Sequence, residues 1–569
     1  MPTWLTGSRT VRSPISDDYR IAALQDDTGT SEHWNPAVPI TYSFPTLFAL
    51  FAAPYGSGEI TDGWQPLSSS QQQAVRKALA EWSNVANIQF VEVTESGPNV
   101  GDLRFGFTRD VSADTAAHTY LPFDSSPEAG DVWLGWDWRT DILAPASTST
   151  STYDIEQRFA YATLIHEIGH ALGLGHPFDD GSTRFTDPLP ASEDTVLNTV
   201  MSYEWYDWAD ELMPPSSPMP YDILAIQYLY GANTSFQAGD TVWSFDIAQA
   251  GVETIWDAGG VDTLRLTNAT NMPFPDVDGS QWSLIDLEEG AGSIIGFVNQ
   301  GDYGLTSTVN GVTVRPYGTT PTIYIAFGAV IENAIGTAGV DLIYGNAHNN
   351  RLDGGGDTRR DQIDGDGGLD TAVYSGRLSD YQIQRAAPPA NPSDPLLGDI
   401  EARKEYTVTR KGTDAALSQD WLVNIERLAF SDRSVALDFD AGEAGAEAVG
   451  LVTALLGRQS LSNAALMGEV IHYADHMDAH SMAQILVDAG VTAALAGGST
   501  DSDLVRLLYS NVTGQAPSAA ELQWTVAYAE DNGFSQADIL AVIAGIPQTF
   551  VRADLVGLQQ QGLTYIEFA

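Results

Sequence analysis

The spacing of apolar positions changes rhythm twice along the chain and so divides it into three. The first region, to about residue 233, contains helical segments; residues 163–171 are largely apolar (Thr163, Leu164, Ile165, Ile168, Ala171) and predict a buried helix. From about 234 the helical pattern gives way to short β-rich stretches punctuated by Gly and Asp, continuing to about 440 with a Pro-rich loop at 387–398 (APPANPSDPLLG). After about Ala441, Gly-Asp turns become rarer and Ala, Leu and Val again recur at helical spacing. The apolar run 44–53 is too short to span a bilayer and contains Pro45, so it reads as part of a folded domain.

The apolar helix carries the most informative chemistry. Residues 166–176 read His-Glu-Ile-Gly-His-Ala-Leu-Gly-Leu-Gly-His, the pattern H-E-x-x-H-x-x-G-x-x-H. His166 and His170 are four apart, so a helix sets both imidazoles on one face. Gly173 can adopt a positive φ that ends the helix, and the turn brings His176 back as a third ligand. Three neutral imidazoles suit Zn²⁺ and leave a fourth position for water. Glu167, one residue from the first ligand, is placed to take that water's proton and pass it to a leaving amine. Buried His and Glu without a partner would be costly, and a metal provides one.

Downstream lies Asn198-Thr199-Val200-Met201-Ser202-Tyr203. With the histidine motif this resembles the metzincins, and Met-Ser-Tyr resembles their serralysin and astacin branches. The chain as a whole is similar to the serralysins, secreted bacterial zinc endopeptidases with a calcium-binding β-roll behind the catalytic domain. By that resemblance Met201 is an apolar floor beneath the ligands, and Tyr203 is a fifth ligand at rest or a donor to the oxyanion. Residues 71–82 (QQQAVRKALAEW) followed by Asn87-Ile88-Gln89-Phe90 resemble the family's first long helix and next strand. Ala129-Gly130-Asp131-Val132-Trp133-Leu134 resembles the edge strand along the cleft, which makes Gly130, Asp131, Val132 and Trp133 the expected substrate strand. Residues 221–233 (YDILAIQYLYGAN) resemble the helix closing the catalytic domain. The resemblance covers about 65–440 well and 20–65 loosely.

The β-rich region keeps a nine-residue rhythm: Gly336-x-x-Gly339-x-Asp341, Gly345 to Asn350, and Gly365-x-Gly367-x-x-Asp370, with Gly354-Gly355-Gly356-Asp357 running to Asp361 through a longer loop. This is a degraded G-G-x-G-x-D-x-U-x repeat. Glycines turn and expose carbonyls, while Asp341, Asp361 and Asp370 add carboxylates, an oxygen-only set suited to Ca²⁺. Asn350 removes a charge and predicts a weaker site. A further loop, Trp256-Asp257-Ala258-Gly259-Gly260-Val261-Asp262, resembles a serralysin calcium loop, with Asp257, Gly259 and Asp262 as the expected ligands. The bland alternative for all of these is Gly/Asp turns between strands. The low repeat count predicts a short roll with few ions, needed for folding or for docking of the two domains.

Composition narrows the setting. The chain has 569 residues and a formal net charge of −49, with only three Lys among 26 basic residues. Such acidity argues against nucleic acid and anionic membranes as partners and suits a protein that binds several Ca²⁺ ions. There is no Cys, which excludes disulfides and thiol chemistry. The N-terminus (MPTWLTGSRTVRSP) is no Sec signal. The resemblance implies type I secretion through an ABC transporter, signalled by the uncleaved tail Tyr565-Ile566-Glu567-Phe568-Ala569.

Asp503-Leu504-Val505-Arg506-Leu507-Leu508-Tyr509 to Gly514, with Ala520-Glu521-Leu522-Gln523-Trp524, resembles a helical module appended to bacterial RTX proteins. His472, His476 and His480 sit four apart and read as a solvated helix face before they read as a metal site. The sequence therefore predicts a multidomain chain. Residues 1–30 are an N-terminal extension or propeptide. Residues 31–233 are an α+β metzincin catalytic domain with one catalytic zinc. Residues 234–440 are an RTX-like calcium-binding β-roll or β-sandwich domain with several structural Ca²⁺ ions. Residues 441–569 are an all-α domain for secretion, surface attachment or partner binding. The expected function is a secreted, calcium-dependent zinc metalloendopeptidase acting on extended polypeptides. The alternative is a surface-layer or adhesive calcium protein whose protease domain is silent or cuts its own chain.

Overall fold

The computed structural model describes residues 9–25, 30–47, 50–51, 55–56, 58–96, 99–110, 116–122, 127–136, 152–179, 188–204, 214–246, 251–267, 282–295, 307–309, 312–314, 322–356, 359–387, 403–412 and 418–568. The chain divides into two compact units, Met1–Ile331 and Glu332–Ala569.

The first unit is built on a five-stranded sheet: β1 (Ile40–Ser43), β2 (Phe90–Glu92), β3 (Leu103–Thr108), β4 (Ala117–Thr119) and β5 (Val132–Gly135), in the order β2-β1-β3-β5-β4. All neighbours are parallel except β4, which runs antiparallel to β5 at one edge. Three helices accompany the sheet. Helix α1 (Ser69–Val85) begins with a Ser68/Gln71 capping box and buries Ala74, Val75, Ala78, Leu79 and Trp82, a period-3.6 stripe. Helix α2 (Thr152–Leu172) buries Leu164, Ile165, Ile168 and Ala171 completely, and Trp82 of α1 donates its indole N–H to the Ile165 carbonyl at 3.2 Å. Helix α3 (Pro220–Tyr230) starts with Pro at its first position.

Two expectations change here. Val132–Gly135 is an internal strand, flanked by β3 and β4, so among the described residues the sheet's edge belongs to Ala117–Thr119 instead. Val132, Trp133 and Leu134 are all buried, as befits a strand covered on both faces. Of the expected extension 1–30, residues 1–8 and 26–29 lie outside the described residues. Thr10–Pro14 pairs antiparallel with Thr30–Trp34, and Ala23 and Leu24 are fully buried, so residues 10–25 are part of the first unit's body.

The boundary expected at 233 does not separate compact units. Residues 251–256 are tied back to the first unit: Ser216 N–H bonds the Val252 carbonyl, Thr254 N–H bonds Ser217 Oγ, and Trp256 Nε1 bonds the Asn233 carbonyl. In this unit Val242–Asp246 runs parallel to Thr263–Thr267, and Glu253–Ile255 parallel to Ile323–Ile325.

In the second unit the chain winds between two parallel ladders. Asn333–Ile335, Arg351–Asp353, Thr371–Val373 and Arg427–Ala429 form one, and Val340–Asn346, Gln362–Asp366 and Gln419–Val423 the other. The glycine spacing of the repeat has a steric origin. A Cβ at Gly336, Gly345 or Gly365 would stand 2.8, 2.2 or 2.5 Å from the side chain of Asp341, Asn350 or Asp370, five positions on. Helices from Ala444–Leu456 to Leu555–Gln561 gather around a core that includes Val449, Leu451, Val452, Met467, Leu504, Leu508 and Leu540. The C-terminal region is helical as expected, but not wholly so. Leu563–Tyr565 returns as a strand antiparallel to Ser434–Ala436, which makes the helices an insertion between neighbouring strands. Buried Arg427 pairs with Asp438 and with Asp475, joining strand to helix. Among the described residues no helix is long and apolar enough to cross a membrane.

Candidate metal centre and active site

Helix α2 ends where the motif requires. Gly173 has φ +108°, and a Cβ there would stand 2.8 Å from the Glu32 carbonyl oxygen, so a side chain is excluded both by conformation and by space. Gly173 N–H bonds the His170 carbonyl and Leu174 N–H bonds that of Gly169, closing the helix. Gly175 N–H then bonds the Leu24 carbonyl, fixing the return that delivers His176.

His166, His170 and His176 converge, each offering a ring nitrogen within 4.8 Å of the others. His170 Nε2 and His176 Nε2 stand 3.1 Å apart. Two nitrogens on a tetrahedral zinc are about 3.3 Å apart. Two of the outer ring nitrogens are engaged: His166 Nδ1 donates to the Val200 carbonyl and His170 Nδ1 to the Leu174 carbonyl, both at 2.7 Å. These bonds set the tautomer and leave Nε2 lone pairs inward. Burial, with His170 alongside, lowers the pKa of His166 to about 3, so its imidazole is neutral. Three converging imidazoles, two of them oriented by outer hydrogen bonds, fit a zinc ion.

Glu167 is buried beside the ligands, and burial raises its carboxyl to about 7 against the opposing effect of a hydrogen bond from Thr119 Oγ1 to Oε2 at 2.6 Å. A dication at the imidazoles would lower it again. Met201 is fully buried beneath α2; a Cβ at Gly169 would stand 2.7 Å from its sulfur. Tyr203 lies over the imidazoles, its ring stacked on His166 at 5.6 Å and 4.7 Å from that of His176, while 57% exposed. Phe178 stacks on His176 at 4.9 Å.

Asp222, at the start of α3, organises the turn before Tyr203. Its carboxylate accepts from Thr199 Oγ1 (2.6 Å), Val200 N (2.7 Å) and Met219 N (2.8 Å). It therefore holds the residue whose carbonyl orients His166. Thr119, Phe178 and Asp222 are functional neighbours that sequence reasoning missed. Of the three, only Asp222, an acid in the first turn after Pro220, carried a signal, and that signal reads as a helix cap.

The expected substrate strand is corrected in detail as well as in register. Gly130 precedes β5 at φ +79°, and Asp131 points inward. Asp131 is buried against Tyr55, whose hydroxyl it accepts, with Arg104 nearby at 3.9 Å; burial raises its carboxyl to about 8. Neither Asp131 nor Trp133, 1% exposed, can meet a substrate.

The acids expected for calcium are buried and bonded to backbone N–H groups. Asp257 accepts from Trp243 Nε1 and Gly259 N, and Gly259 takes φ +131°. Asp262 Oδ1 accepts from Thr241 N. In the second unit Asp341 accepts from Thr337, and Gly339 N–H bonds Thr337 Oγ1. Asp341 N–H bonds Asp361, whose own N–H bonds Asp420. On the opposite edge Asn350 N–H bonds Asp370, whose N–H bonds Glu426. Asp353, Asp361 and Asp420 line a cavity of about 70 Å³ with Gly354, Gly355 and Gly356. Burial, then Asp420 and Asp341, raise the carboxyl of Asp361, and burial raises that of Asp370 to about 8. Among the described residues only the histidines bring three ligand atoms together from His, Asp or Glu side chains.

A family model described as matrixin matches residues 62–186, which contain α1, the five-stranded sheet from β2 onward and the histidine motif. The chain is 34% identical to serralysin G of Dickeya chrysanthemi over 51% of its length and 56% of that protein's. It is 31% identical to a serralysin of Proteus mirabilis (59% and 66%) and 30% identical to metallopeptidase AprA of Pseudomonas marginalis (57% and 62%). These matches span between about half and two thirds of the relatives' own lengths. In shared sequence and in its converging imidazoles the chain is similar to the serralysin-like metzincins.

Proposed function

We propose that the protein is a secreted zinc metalloendopeptidase that hydrolyses extended polypeptides. The observation that carries this reading is the convergence of three imidazoles beside a buried glutamate, next to the strand that forms the sheet's edge among the described residues. His166, His170 and His176 would hold a zinc ion, which would supply Lewis acidity towards a peptide carbonyl and lower the pKa of a water molecule. Glu167 accepts that water's proton at its carboxylate and returns it to the leaving amine. Tyr203, half-exposed over the imidazoles, donates its phenolic proton in a hydrogen bond to the carbonyl oxygen as negative charge develops there. Among the described residues β4 is the sheet's edge, and its outward backbone groups suit an extended chain.

The calcium dependence is part of the same reading. The winding of the second unit between two parallel ladders supports a β-roll, and its stacked, buried acids, with the carboxyls of Asp361 and Asp370 raised, support Ca²⁺ at Asp341, Asp361 and Asp370, with Asp257 and Asp262 as a separate loop. Export through an ABC-type apparatus, with the helical insertion as a surface or partner contact, follows from the resemblance to serralysins.

The test is azocasein hydrolysis by purified protein in Ca²⁺, before and after 1,10-phenanthroline, with zinc assayed on the same sample. About one zinc per chain with chelator-sensitive hydrolysis is expected. Bound zinc without hydrolysis of any general substrate would sink the endopeptidase reading.

A further inference from the structure

The free edge beside α2 is organised differently on each of its sides. Ala116 accepts from Gly135 N–H, and Tyr120 donates to the Asp131 carbonyl and accepts from Gly130 N–H. Residues of an antiparallel strand alternate between bonded and non-bonded positions. Ala116, His118 and Tyr120 therefore spend their backbone groups on β5, and Ala117 and Thr119 turn theirs to the open edge. Gly130 and Asp131 together oppose Tyr120, with Gly130 at positive φ, a bulge that ends the ladder at this point.

Side chains alternate too. His118 and Tyr120 share one face, and both bond Glu59 Oε1. Glu59 has no exposed surface. Burial acts to raise its carboxyl, but bonds from Tyr120, from the backbone N–H groups of Gly58 and Glu59 and from His118 outweigh burial and bring it down to about 2. It is an anionic pin for this face of the strand. Thr119 points the other way and donates its hydroxyl to Glu167 Oε2 at 2.6 Å. One residue thus presents its main chain to the edge where a polypeptide would lie and its side chain to the proposed base.

We propose that Thr119 is a positioning residue that ties the register of the bound chain to the orientation of Glu167. The inference rests on the endopeptidase reading of the site. A buried glutamate has three side-chain torsions to fix, and a charge-assisted bond from a strand pinned on its far face fixes the last of them. With Oε2 engaged by Thr119, Oε1 is the oxygen left to take the proton. A Thr in a strand needs no such bond for its β-propensity, so the hydroxyl's placement against a buried carboxylate is what separates this role from simple packing.

The test compares zinc-loaded full-length protein with Thr119→Val and Thr119→Ser. Thr119→Val keeps the strand shape and the zinc; its kcat falls about 10- to 100-fold with KM unchanged. Thr119→Ser restores most of the loss. A crystal structure of Thr119→Val shows the imidazoles in place and the Glu167 carboxylate displaced or in more than one rotamer. Wild-type kcat in Thr119→Val, or a loss confined to KM, overturns the role. So does a Glu167 carboxylate that stays in place without the hydroxyl, and this result counts even if the wild type cleaves nothing. An inactive wild type is the separate result that overturns the endopeptidase reading.

Discussion

The imidazole site of the first unit and the acid ladders of the second both gather like side chains, by opposite means. At residues 166–176 three rings come from one helix and its terminal turn, and two of them spend their spare nitrogen on a backbone carbonyl. In the ladders Asp341, Asp361 and Asp420 lie one winding apart, the carboxylates of Asp361 and Asp420 each accepting from the backbone N–H of the Asp before it, and their carboxylates crowd one another. The first arrangement is preorganised for a cation. The second favours any proton or cation that accompanies its carboxylates. The same element of chemistry, a ligand set, is a geometric statement in one unit and an electrostatic one in the other.

The sharpest way to sharpen the contrast is to remove the proton acceptor from the preorganised site. Glu167→Ala leaves all three imidazoles and their outer bonds, so zinc content should be unchanged while peptide hydrolysis falls about 10²- to 10⁴-fold. Retained turnover in the metal-loaded variant would remove Glu167 from the mechanism.

Next in size is the support of that site. Asp222→Ala strips the bond partner from Thr199 Oγ1, Val200 N and Met219 N in a fully buried setting. Stability should fall by about 3 kcal/mol, read from urea unfolding. Zinc affinity should fall about 10- to 100-fold, because the Val200 carbonyl no longer holds His166 in place. Unaltered zinc affinity in folded Asp222→Ala would show that the imidazoles are fixed by α2 alone.

How much of this could be read from the sequence follows the same divide. The three converging imidazoles, Glu167 and Gly173 are legible because helical geometry converts their spacing directly into position. Met201 and Tyr203 are legible through the resemblance. The edge strand is not, because Ala117–Thr119 is too short for a period of two to declare itself, whereas Val132-Trp133-Leu134 is conspicuous for being buried on both faces. Asp222 is distant from the turn it holds, and its proximity exists only once α3 has packed. The final strand Leu563–Tyr565 pairs with Ser434–Ala436 across more than a hundred intervening residues, a partnership no local pattern encodes. The repeat loops are legible as a rhythm, and the structure adds its cause, the Gly–Asp contact five positions apart.

The ladders can be tested through pH. Asp370, at about 8, and Asp361, raised by burial and its acidic neighbours, bind protons more tightly folded than unfolded. Where the native state holds more protons, stability falls as pH rises. The contribution is therefore complete below about pH 4, the unfolded value, and is lost towards pH 8. In chelator, the melting temperature of the unfolding step that includes the second unit should drop by roughly 5 °C between pH 5 and 8. Saturating Ca²⁺ should flatten or reverse that slope, since a dication replaces the protons. A pH-independent transition in chelator would mean the ladder acids are adequately compensated by their backbone bonds.

The smallest effect probes the one neutral rung. Asn350 uses its amide to donate to the Glu332 carbonyl and to Asn346 Oδ1, while its oxygen accepts from Asn346 N–H. Asn350→Asp loses both donors and sets a second carboxylate one winding from Asp370, whose Oδ2 is buried with no hydrogen-bond partner among the described residues. In chelator the variant should lose about 1–2 kcal/mol. If that edge of the coil takes a cation, the added charge should make its melting temperature respond to lower Ca²⁺ than the wild type's. A variant that is destabilised yet no more responsive to Ca²⁺ would show that this edge is held by hydrogen bonds alone. The difference between the two units would then recur within the second, one edge electrostatic and the other geometric.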